Sequence, residues 1–140
     1  MTKPIVRRSI LAVVAIAALG AMSASRAHHS FAMFDSESQI KLKGKVTDFQ
    51  WQNPHVYIEI DAQDVNAKDK VTKSWTIECA NPGILNRIGW KFNMIKPGDV
   101  ITVIVAPLRS GEAGALLKQV TLADGRKFGN GGPAGKPNIE

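Results

Sequence analysis

Two short stretches alternate apolar and polar residues with a period of two, a pattern that fits a half-buried strand and cannot keep a helix amphipathic. In the first, Val56, Ile58 and Ile60 share one face while Tyr57 and Glu59 share the other. In the second, Trp75, Ile77 and Cys79 share a face against Thr76 and Glu78. A third run, Ile40 to Trp51, is also a strand. Leu42, Gly44 and Val46 hold one parity there and Phe49 and Trp51 the other, so a bulge is expected near Thr47-Asp48, with Gly44 allowing a sharp bend. Val100 to Val105 is β-branched and apolar, and Leu116 to Leu122 reads as the last strand. Between the third and fourth strands the period changes. Asn81 is placed to cap a helix with Pro82 at its first position, Ile84, Leu85 and Ile88 recur at helical spacing, and Gly89 ends the element.

The order is therefore β-β-β-α-β-β. Asn53-Pro54 and Pro97-Gly98-Asp99 are turns, and the polar run Ala62 to Lys73 is a hairpin loop. A mainly β chain with five strands and one short helix between the third and fourth has the arrangement of a small OB-like barrel. An irregular β-sandwich is the alternative. The bent first strand and the helix position favour the barrel.

Ahead of this domain lies a basic segment with Lys3, Arg7 and Arg8, then the apolar run Ile10 to Met22, then small residues with Ser25 and Ala27 at the −3 and −1 positions of a cleavage site. That is the layout of a secretory signal peptide, and the apolar run is well short of the ~20 residues a spanning helix needs. Residues 1–27 are expected to be removed, leaving no stable membrane anchor and a periplasmic protein. Export by the general or by the twin-arginine route stays open. The expected organisation is a signal peptide at 1–27, an N-terminal segment at 28–37, the barrel at 38–125 and a disordered Gly/Pro-rich tail at 126–140. Most of the formal charge of +6 leaves with the leader, so that charge is poor evidence for a nucleic-acid partner. Cys79 is the only cysteine. It forms no internal disulfide and reads as a small buried apolar residue rather than a reactive thiol.

His28-His29-Ser30-Phe31, Gly44-Lys45-Val46, Phe49-Gln50-Trp51-Gln52-Asn53-Pro54-His55, Trp75-Thr76-Ile77-Glu78 and Pro97-Gly98-Asp99 together resemble an uncharacterised family of small exported bacterial proteins, a domain of unknown function. The resemblance covers nearly all of residues 28–125. It implies a periplasmic location and an OB-like barrel, and it brings neither an assigned activity nor catalytic residues.

Three histidines remain after cleavage: His28, His29 and His55. If Ala27 is the last residue removed, His28 has a free amine beside its ring. With unperturbed pKa values of about 8 and 6.5, both groups lose a proton at small cost near neutral pH and can chelate one metal ion. His55 is the natural second imidazole, at the mouth of the second strand. Nitrogen-rich sites of this kind suit copper among the transition metals. His29 is the rival partner. Trp51, Asn53, Phe31, Phe34 and Trp90 are candidates to wall the site, Met33 to add a soft sulfur, and Glu78 an oxygen.

Catalysis finds little support. No Ser-His-Asp or Cys-His signature and no phosphate-cradling glycine loop is visible. Glu59 and Glu78 read as a solvated sheet face rather than an acid/base pair. Tyr57, Glu59, Thr76 and Glu78 make a poor platform for nucleic acid, having one aromatic and two acids. The expectation is a monomeric or weakly associating protein, not an enzyme, binding copper or another transition metal ion. A metal-free module that recognises a periplasmic partner protein or a small ligand is the alternative.

Overall fold

The computed structural model describes residues 29–131. The expected signal peptide, His28 and the last residues of the expected tail lie outside the described residues. The chain divides into two units, Met1–Met33 and Phe34–Glu140. The described part of the first is a single short helix, α1 (His29–Ala32). The second unit holds β1 (Ile40–Gln50), β2 (Tyr57–Asp64), β3 (Lys73–Glu78), α2 (Pro82–Arg87), β4 (Val100–Pro107), β5 (Gly114–Thr121) and β6 (Lys127–Gly129). No helix among the described residues is long and apolar enough to cross a membrane.

The sheet runs β3-β2-β1-β4-β5-β6, and a parallel pairing of Thr76, Ile77 and Glu78 with Gly114, Ala115 and Leu116 joins β3 to β5. That pairing closes β1 to β5 into a five-stranded OB-like barrel, with one short helix between β3 and β4. The sandwich alternative is set aside because a sandwich leaves two sheets open, whereas here the strand at one edge is bonded back to the fifth.

Closure depends on β1 serving two neighbours. Its first half pairs with β4 from Ile40↔Val105 to Lys45↔Val100, and nearly its whole length pairs with β2. The β1–β2 register shifts between Val46↔Ile60 and Asp48↔Glu59, so Thr47 is the extra residue of a bulge at the expected place. Gly44 lies opposite Ala62, and a Cβ there would overlap the Asp61 carbonyl oxygen and the Ala62 backbone. The close approach of the strands requires glycine.

The inward faces follow the alternation. Leu42, Val46, Val56, Ile58, Ile60, Ile77, Cys79, Ile101, Val103, Val105 and Leu117 are all buried in one core. Leu85 of α2 and the ring of Trp90 join them. The helix starts as the sequence predicts: Asn81 Oδ1 accepts a hydrogen bond from the Ile84 N–H at 2.9 Å, and Pro82 follows at the first position. It is only six residues long, so Ile88 falls at its end and is exposed rather than core-facing.

Two expectations are corrected. β2 runs to Asp64 and β3 begins at Lys73, so the β2–β3 loop is shorter than the polar run Ala62 to Lys73 suggested. Charged residues on the wet face of a hairpin hide a strand from a hydrophobicity reading. The domain does not end at residue 125: β6 pairs with β5 from Gln119↔Gly129 to Thr121↔Lys127, and Asn130 is buried with its side-chain oxygen accepting the Ala80 N–H at 2.7 Å. Glycines and a proline around this strand mask it. The segment before β1 is also built in. Phe34 is buried with Ala106 and Leu116, and Lys118, only 6% exposed, donates from Nζ to the Ser36 carbonyl at 2.7 Å.

Gly44→Ala is expected to destabilise the domain by about 1–3 kcal/mol, because backbone rather than a flexible side chain must give way. Thermal unfolding measures it, and an unchanged Tm would show that β1 does not need this close approach.

Candidate functional site

The row of outward side chains next to the barrel's closing seam holds the chemistry. Gln50 and Tyr57 are register partners across β1 and β2, Tyr57 and Glu78 across β2 and β3, and Glu78 and Leu116 across the parallel seam. Ile77 and Cys79 face the core, so Glu78 between them faces out.

His55 completes this row. It precedes Val56, which is fully buried and hydrogen-bonded twice to the chain beyond β3: Cys79 N–H donates to the Val56 carbonyl at 2.8 Å, and Val56 N–H to the Ala80 carbonyl at 3.2 Å. Those bonds hold the His55 backbone against the end of β3. The half-buried ring then places Nδ1 3.0 Å from the Cys79 carbonyl oxygen and 3.1 Å from Glu78 Oε1. Both neighbours are acceptors, so Nδ1 carries the proton and donates. With the ring oriented through Nδ1–H, the lone pair at Nε2 is the position from which it can bind a metal, the usual arrangement of a metal-ligating imidazole.

Burial raises the pKa of the Glu78 carboxyl, and the nearby His55 offsets that rise in part. Burial also raises the pKa of the Tyr57 hydroxyl, with the Glu78 charge adding to it. The Cys79 thiol is pushed far up, mainly by complete burial and further by Glu78. It is a core side chain and no ligand.

Sequence reasoning offered Glu78 as an oxygen donor in the site of His55, and the structure brings the two together, with the carboxylate at Nδ1 of the ring. Within the second unit, Trp90, Phe34 and Glu59 are engaged elsewhere. Phe31 and Met33 belong to the first unit, where both are exposed. His29 is placed by its backbone at the start of α1. Trp51 is half-buried and pairs with Phe49, ring centroids 5.9 Å apart. Asn53 is exposed in the turn before His55, where its bond to Pro54 is cis. Trp90 walls no surface site: it is 0% exposed and its Nε1–H donates to the Gly129 carbonyl at 2.9 Å. Phe34 is likewise a buried plug, lying on Leu116 next to Glu78's strand. Glu59 is engaged by the Thr76 hydroxyl at 2.9 Å, and so does not pair with Glu78. Among the described residues, no three His, Cys, Asp or Glu side chains come together as a metal-binding group.

The chain matches a family model described as a family of unknown function (DUF6152) over residues 15–118. Comparison with curated proteins returns no match. Among solved structures, the chain is similar to TiaS in its complex with a tRNA and ATP, with a TM-score of 0.44, 17% identity, and 64% of this chain and 19% of that chain covered. It is also similar to Rim1, a mitochondrial single-stranded DNA binding protein from S. cerevisiae, with a TM-score of 0.45, 16% identity, and 61% and 93% covered.

Two outcomes are expected from this geometry. In the native protein Cys79 resists thiol reagents and labels only as the chain unfolds, and rapid stoichiometric labelling without denaturant would contradict its burial. Glu78→Gln keeps an acceptor for His55 and removes a charge that burial disfavours. Because folding raises the Glu78 pKa above 4.5, the wild type loses stability relative to the variant as pH climbs through the folded value. The Tm advantage of the variant therefore grows from pH 4 to pH 7, and a constant or shrinking advantage would sink the assignment.

Proposed function

The chain belongs to this family of unknown function, and from that premise we propose that it is a periplasmic binding protein that holds copper or another transition metal ion. The ligands are the amine and ring of His28, freed by removal of residues 1–27, and Nε2 of His55. The supporting observation is the His55 ring, held at Nδ1 by the Cys79 carbonyl and the Glu78 carboxylate. A carbonyl or carboxylate on the far ring nitrogen fixes the tautomer and raises the basicity of the donor.

His55 and Glu78 alone do not make a closed donor set. Two further nitrogens from a processed N-terminus would bring the set to three nitrogens, which suits copper better than calcium or magnesium. His29 is the competing donor. The role is binding, storage or delivery rather than turnover, since no nucleophile with its base is present in the row. Nucleic acid is not among the proposed ligands. The outer positions of β1 to β3 mix Lys41, Lys43 and Lys45 with Asp48, Glu59, Asp61 and Glu78, which is no uninterrupted basic track for a phosphate backbone.

Calorimetric titration of Cu(II) into protein beginning at His28 tests the reading. Micromolar or tighter binding at one site is expected. It should weaken by about tenfold or more with His55→Ala, and equally when one extra residue precedes His28. Binding indifferent to both changes would leave only an adventitious His-His site and return the protein to the metal-free alternative.

A further inference from the structure

A second region carries chemistry of its own, independent of the histidines. The loop from α2 into β4 and the turn from β5 into β6 enclose an open cleft of about 500 Å³. Both walls are tied down. Gly98 N–H donates to the Val46 carbonyl and Val46 N–H to the Asp99 carbonyl, each at 2.8 Å. Across the cleft, Leu122 N–H donates to the Arg126 carbonyl and Gly125 N–H to the Leu122 carbonyl, each at 2.9 Å.

Met94, Leu122 and Ala123 give the cleft an apolar lining, and Lys91, Lys96 and Arg126 give it three cations. Two aspartates also line it, but both carboxylates are engaged. Asp99 Oδ2 accepts the Lys96 backbone N–H at 2.9 Å. Asp124 accepts the Arg126 backbone N–H at 3.0 Å and its Nε–H at 2.8 Å. Among the described residues, no carboxylate pairs with the Lys91 or Lys96 ammonium. Arg126 is steadied twice, by Asp124 and by the Phe128 ring 5.7 Å from its guanidinium carbon. Phe92, between Lys91 and Asn93 in sequence, is 68% exposed. An aromatic left this open is not serving the core.

We propose that this cleft binds a small amphiphilic organic anion, a carboxylate or phosphate head on an apolar body. The head sits among Lys91, Lys96 and Arg126. The body lies over Met94, Leu122 and Ala123. The volume is in the range of small-molecule sites, which combine an apolar lining with a few placed charges. A nucleic-acid strand or a bilayer surface would need a broad positive track, and Asp99 and Asp124 interrupt one here.

Fluorescence titration of the full-length processed protein with 8-anilinonaphthalene-1-sulfonate, followed by displacement with monomeric decanoate, provides the test. One saturable site is expected, displaced by decanoate and much less by inorganic phosphate at the same concentration. The pair Lys91→Glu and Lys96→Glu weakens binding about tenfold or more, with Tm unchanged. Ala123→Trp, which fills the floor and alters no charge, weakens it too. Lys43→Glu with Lys45→Glu, on β1, leaves it unchanged. Binding indifferent to Lys91, Lys96 and Ala123 overturns the proposal. So does equal displacement by inorganic phosphate, the mark of a bare ion patch, or binding seen only to phosphatidylglycerol vesicles.

Discussion

One strand has to belong to two halves of the barrel, and the structure depends on how β1 manages it. Eleven residues pair with β2 on one edge and β4 on the other. A straight strand cannot curve enough to let the sheet close on itself. Gly44 lets β2 approach where any side chain would collide, and the bulge at Thr47 adds twist and reverses the parity of the residues beyond it. With β1 so bent, β3 reaches β5, and three parallel register pairs suffice to complete the barrel.

The seam also makes the chemistry. Parallel pairing sets Glu78 beside Leu116, and Leu116 is covered by Phe34. An outward carboxylate on an open sheet would be fully solvated. Here it borders an apolar patch, loses part of its water, and its pKa rises. His55 is brought to the same place by the bonds that Val56 makes to Cys79 and Ala80. Closure and site are two consequences of one strand arrangement.

Much of this could be read from the chain alone, for identifiable reasons. Val56, Ile58 and Ile60 alternate because β2 has one wet face, and Asn81-Pro82 announces a helix start through a capping oxygen and a preset φ. The bulge at Thr47 shows as a parity change from Val46 to Phe49. The features that stayed hidden have physical reasons too. β6 is a three-residue strand between Gly125 and Gly131, and its stability comes from pairing with Gln119 to Thr121 and from Asn130 bonding Ala80. Trp90 looked available to wall a pocket, because nothing local reveals that its Nε1–H meets the Gly129 carbonyl. Lys118 sits in a strand pattern where a cation should face water. Its burial depends on the Ser36 carbonyl, eighty-two positions away. Of the candidate site, His55 and Glu78 were each legible, but their contact comes from β2–β3 register, which no local motif encodes.

The half-buried Glu78 is the point at which packing and charge pull apart. Position 78 must face outward beside Leu116, and a threonine or glutamine would meet that demand without bringing a charge out of water. Burial outweighs the help that His55 gives, so the ionised carboxylate is a local cost to folding near neutral pH. A cation bound at the far nitrogen of His55 would favour the charged carboxylate through the polarised ring. By linkage, a ligand that stabilises the charged row also stabilises the fold that builds it. Residues that break a local rule without repayment inside the fold tend to belong to sites, and Glu78, held against His55, breaks such a rule here.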